Sequence, residues 1–214
     1  MKRSWMVGVV AALLAAQSPL LAAQEAVATA DAAQTVNAVW VQRELTFTYM
    51  PRTSYYSCDG LRDKVSWLLK QLGARPDFKV VSRGCIKAQG AEVFPGVKIV
   101  AAFPAEATPE LLASLASEAS KRELEARVGG KPAPVAEATA QFPARVKRVD
   151  LRSSASSSNM LQDGDCELFE QLRDQVFGPL GVKVVADQMH CVPRQISLGA
   201  VRLSVEVLEP VPAE

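Results

Sequence analysis

Two stretches of this chain have the residue types of a catalytic or metal site. His190, the only histidine, follows Asp187, and a serine-rich run extends from Ser153 to Ser158. A nucleophilic serine, a histidine base and an orienting acid are the parts of a hydrolytic triad, provided they are hydrogen-bonded to one another. Spacing alone does not supply that geometry. Asp163 and Asp165 around Gly164, followed by Glu167, offer carboxylates to calcium. A calcium loop, however, needs a longer series of oxygen ligands ending in a glutamate. Acids at turns and helix starts account for the same residues. An exported hydrolase using His190 with Asp187 or the Ser153–Ser158 loop therefore stands as the alternative reading, and no metal is expected.

A third group is Arg52, Tyr55 and Tyr56, which lie between a strand and the helix expected to begin at Cys58. Loops in that position commonly carry binding residues, and tyrosine is enriched in recognition surfaces. These three are the candidate binding residues. The competing explanation places both tyrosines in the core or over a sheet edge.

The cysteines are Cys58, Cys85, Cys166 and Cys191. Zinc sites need closely spaced ligand pairs, and thioredoxin-like chemistry needs two cysteines separated by two residues. Neither spacing occurs, so no cofactor is expected. An even number of cysteines in an exported chain reads as disulfides. A helix of about 15 residues from Cys58 advances roughly 22 Å, and about seven strand residues recover that distance. The chain then returns to its starting point at Cys85. The same reasoning pairs Cys166 with Cys191.

The elements that position these residues repeat. Counted from Cys58 and Cys166, Leu61 matches Phe169, Leu68 and Leu69 match Val176 and Phe177, and Leu72 matches Leu180. Those offsets lie on one helix face. Gly73 and Gly181 follow, as residues suited to the left-handed end of a helix. Lys79-Val80-Val81 then matches Lys183-Val184-Val185, and Val97-Lys98-Ile99 matches Val201-Arg202-Leu203. Leu45, Phe47 and Tyr49 alternate with polar residues upstream of Cys58, as Val149 and Leu151 do, more weakly, upstream of Cys166. The expected fold is α+β, with two pseudo-repeated β-α-β-β units in ferredoxin-like-style layers. Whether they share one sheet or form two small sandwiches is left open.

Between them, Thr108-Pro109-Glu110 is a helix start, and Gly129-Gly130 ends that helix. Lys131 to Ala140, with Pro132 and Pro134, reads as a linker. The expected boundaries are a first half at 39–107, a connecting helix at 108–128, a Pro/Gly linker at 129–141 and a second half at 142–210. Residues 24–38 read as a flexible lead-in.

Residues 1–23 have the three parts of a secretory signal peptide: Lys2 and Arg3, a short apolar stretch, then Ala22 and Ala23. The apolar stretch is shorter than the roughly 20 residues a membrane helix needs. The chain has 24 basic and 23 acidic residues, and without Lys2 and Arg3 its net charge is −1. Such a chain has no overall field to attract nucleic acid. The sequence reads as an exported, disulfide-stabilised, non-enzymatic binding or interaction protein of the cell envelope, periplasmic or secreted. The expected partner is a protein or envelope component, with no nucleic acid and no membrane span after signal cleavage.

Overall fold

The computed structural model describes residues 35–86, 90–129, 140–153, 160–192 and 201–212. The expected signal peptide, the expected lead-in up to residue 34, residues 130–139 of the expected linker and the serines from Ser154 to Ser158 lie outside the described residues. Among the described residues, no helix is long and apolar enough to cross a membrane.

The chain forms an open six-stranded antiparallel sheet with three helical segments. β1 (Thr35–Thr48), α1 (Cys58–Gln71), β2 (Lys79–Arg83) and β3 (Gly96–Glu106) come first. α2 (Pro109–Val128) leads to β4 (Phe142–Arg152). The third helical segment follows, as α3 (Cys166–Leu172), a π-turn over Arg173–Phe177 and a last turn, α4 (Gly178–Leu180). β5 (Lys183–Asp187) and β6 (Arg202–Pro210) complete the sheet, whose order is β2-β3-β1-β4-β6-β5. Thr35 to Ala38, part of the expected lead-in, are the first residues of β1. Ala38 is fully buried there.

The two halves of the sheet meet over a short joint. β1 pairs with β3 from Ala38↔Glu106 to Thr48↔Gly96. β4 pairs with β6 from Ala144↔Pro210 to Arg152↔Arg202. β1 and β4 pair only through Thr35–Ala38 and Phe142–Arg145. Beyond the joint they run in opposite directions, yet Phe47 and Tyr49 share one core cluster with Leu151, Leu168 and Phe169. The sheet therefore bends across the joint and wraps one apolar face around the helices. Alternation fixes that face. Phe47 in β1 and Tyr49 just past its end are buried while Glu44, Thr46 and Thr48 are exposed.

The helices form where local signals and burial agree. Ser57 caps α1 by accepting the Gly60 amide at 3.1 Å, and Asp59 stands in the positively polarised first turn. Leu61, Val65, Leu68 and Leu69 form its buried stripe. Gly73, at φ +78°, ends it in a Schellman motif: Ala74 N–H bonds Leu69 O and Gly73 N–H bonds Lys70 O. The third helical segment ends in the same way at Gly181, φ +79°, with Val182 N–H to Phe177 O and Gly181 N–H to Gly178 O. The π-turn comes just before Pro179. The proline ring crowds the carbonyl four residues back, and the wider turn relieves that clash. In α2 only Leu115 is buried, packed on Val39 and Val41.

Cys58 is bonded to Cys85 and Cys166 to Cys191. Each bond ties a helix start to the chain just past the following strand.

Candidate functional site

Three chain segments come together at the far end of β1. The first is the β1–α1 loop, residues 49–57. The second, between β2 and β3, docks on it: Glu92 N–H donates to Tyr56 O at 3.1 Å and Tyr49 N–H to Pro95 O at 2.9 Å. The third is the start of the second half's helix, 160–167.

Two buried acids of the second half hold the first-half loop. Glu167 accepts the Arg52 amide at 2.6 Å, the Thr53 amide at 3.0 Å and the Ser54 amide at 3.4 Å. The Tyr49 hydroxyl lies 3.2 Å from the same carboxylate and 2.9 Å from Ser54 O. Asp165 accepts the Tyr56 hydroxyl at 2.5 Å, the Lys64 ammonium at 2.7 Å and the Gln162 amide at 2.7 Å. Lys64 also donates to Met160 O, and Ser54 Oγ to Gly164 O. A buried carboxylate is tolerated only when its oxygens are satisfied in this way. Burial, reinforced by Glu167, pushes the Tyr49 phenol well above its ordinary range, and burial with Asp165 does the same to Tyr56. Both phenols are therefore held neutral as hydrogen-bond donors.

The candidate binding residues divide in this arrangement. Tyr56 is buried, edge-on to Tyr49, and serves the joint between the halves. Arg52 and Tyr55 are exposed on the same loop. The sequence reading missed their neighbours in the docked second segment. Tyr55 is 59% exposed, Ile86 93%, and Val93 and Phe94 59% each, so four large apolar side chains stand out from two adjoining loops. The available signal was three apolar residues inside a turn-rich stretch that alternates with no strand.

His190, Asp187 and Ser153 each have other partners. His190 Nδ1 lies 2.7 Å from Met189 O. Asp187 binds Arg173 and the Met189 amide. Ser153 Oγ accepts the Val201 amide at 2.8 Å. The imidazole thus bonds neither Asp187 nor Ser153. Asp165 and Glu167 are engaged in the joint, and among the described residues no group of three or more His, Cys, Asp or Glu is arranged to hold a metal ion.

Comparison with known proteins found no matching family model, no similar curated protein and no similar solved structure.

Proposed function

We propose that this chain is an exported, non-enzymatic binding protein of the cell envelope, periplasmic or secreted, that recognises a protein partner through the apolar loop end. The observation that carries this reading is the exposed group Tyr55, Ile86, Val93 and Phe94 on a rigid base. Adjoining exposed apolar residues on a folded surface mark interaction sites. Large apolar and aromatic side chains held in place lose little entropy on binding, which is how a few residues come to dominate an interface. Rigidity here comes from the Glu167 clamp on the first loop and from the Cys58–Cys85 bond, which ties the second loop to the start of α1. The oxidised cysteines and the signal-like residues 1–23 support export.

The same reading includes duplication of a β-α-β-β unit. Every matched helix position, from Leu61 with Phe169 to Leu72 with Leu180, is buried. Both helical segments end in one motif at glycine, and the sheet order is 2-3-1 in the first half and 4-6-5 in the second. The order β2-β3-β1-β4 supports the ferredoxin-like layering of the first four strands. In the second copy, the acid after the first cysteine has become the clamp on the first copy's loop.

A Tyr55→Ser, Phe94→Ser variant tests the proposal. It should keep the far-UV spectrum and thermal midpoint of the parent while losing co-fractionation with the cell envelope. A hydrolytic activity of the purified chain that disappears in His190→Ala would overturn the non-enzymatic reading.

A further inference from the structure

We propose that a hollow between the two halves of the sheet binds a monocarboxylic acid with an unbranched apolar tail, and that Arg43 holds the carboxylate. The inference is independent of the loop-end reading, because different residues carry it.

Alternation in β1 is the starting point. The residues on its core-facing side are Val39, Val41, Arg43, Leu45 and Phe47. Val39 and Val41 pack with Leu115, while Phe47 belongs to the main core and Leu45 packs against it. Arg43 therefore falls between the two apolar clusters of the fold. Across the sheet it faces Ala101, and the rows on either side bring Phe103 and Ile99, so β3 offers it no carboxylate. Glu44, the adjacent acid, lies on the other face and is paired with Lys98 at 2.5 Å. Among the described residues, the Arg43 guanidinium has no hydrogen bond or ion pair within the chain. It is also half-buried. A cation in that position without a counter-charge costs desolvation energy, so folding alone gives no reason for an arginine here.

Shape and charge define the ligand. Arg43 lines a hollow of about 360 Å³, whose apolar walls include Val41 and Phe103 from the first half and Leu180, Val207 and Leu208 from the second. That volume is at the lower end of small-molecule sites. The lining runs along β1 and β3 from Arg43 as far as Glu106, which pairs with Ala38. From position 38 to position 43 is roughly 16 Å of strand. The hollow is thus long for its volume and suits a single extended chain. A guanidinium fork takes both oxygens of a carboxylate, and the apolar walls remove the tail from water. The remaining charges limit the ligand to one negative charge. Lys183 is engaged with Glu206 at 3.0 Å, so Arg43 is the cation on offer, and Glu106 at the far end repels a second anionic group.

The test titrates the mature chain with decanoate by calorimetry, below the micellar concentration and at constant ionic strength. Binding should saturate at one site. Decan-1-ol, which lacks the charge, and acetate, which lacks the tail, should each bind about tenfold or more weakly. Arg43→Met keeps an apolar stem and removes the fork. It should lower decanoate affinity to that of decan-1-ol, with the far-UV spectrum unchanged and the thermal midpoint unchanged or raised. A second measurement needs no variant: the Arg43 Nε–H resonance of the parent chain should shift and saturate with decanoate and stay in place with decan-1-ol. The proposal is overturned by the absence of saturable binding, by equal affinity for acid and alcohol, by an Arg43 resonance that does not move, or by unchanged decanoate affinity in folded Arg43→Met.

Discussion

Replacing Glu167 by alanine should be far more damaging than the same change at Asp59, although each acid directly follows the first cysteine of its half. Glu167 is buried and receives the Arg52 and Thr53 amides at 2.6 and 3.0 Å, with weaker bonds from Ser54 and Tyr49. A hydrogen bond to a charged group contributes roughly 1.5–3 kcal/mol. Two such bonds, less the relief of no longer burying a carboxylate, give a loss of about 3–4 kcal/mol. Asp59 is solvated and pairs with Arg62 at 2.8 Å on the helix surface. An exposed pair plus a first-turn acid contributes no more than about 1 kcal/mol. Urea unfolding with matched slopes measures both values. Amide exchange at Arg52, Thr53 and Ser54 should accelerate in Glu167→Ala and stay unchanged in Asp59→Ala. Equal losses for the two variants, or a Glu167→Ala loss below about 1 kcal/mol, would refute the clamp.

Further consequences concern pH, the disulfides and α2. Tyr49 and Tyr56 keep their protons when folded at pH values where the unfolded chain has lost them. Their contribution is therefore complete below about pH 10 and is lost as pH rises, with a slope of about 1.4 kcal/mol per pH unit for each phenol. Unfolding midpoints measured from pH 9 upward should show this slope, and Tyr49→Phe should remove one share of it. Replacing either disulfide pair by alanines should lower stability by about 3.5 kcal/mol, because the bonds close loops with separations of 27 and 25 residues. Leu115→Ala should cost about 2–3 kcal/mol in thermal or urea unfolding, while Leu124→Ala, on the exposed part of α2, should change stability by less than about 0.5 kcal/mol.

The helices were legible because their signals are local. The apolar stripe from Leu61 to Leu72 and the glycine that follows it are determined within a few turns of chain. Strand cores such as Phe47 and Val97 were legible for the same reason. The joint between the halves was not, because Thr35–Ala38 and Phe142–Arg145 meet through backbone pairing of residues whose side chains follow no pronounced alternation. The π-turn depends on one proline, whose effect on the turn before it leaves no periodic trace. At the loop end, Tyr56 and Tyr55 are adjacent in sequence but opposite in role. What separates them is Asp165, 109 residues away. Glu167 looked like any first-turn acid until the fold brought the other half's loop to it.

Whether the loop end meets a partner can be tested directly. Photo-crosslinking side chains placed singly at Tyr55, Ile86 and Phe94, with Thr46 on the outer sheet face as control, test this inside the producing cell. One discrete adduct should be shared by the three loop positions, absent at Thr46 and lost when Glu167 is replaced by alanine. Adducts at Thr46 with none at the loop positions would contradict it.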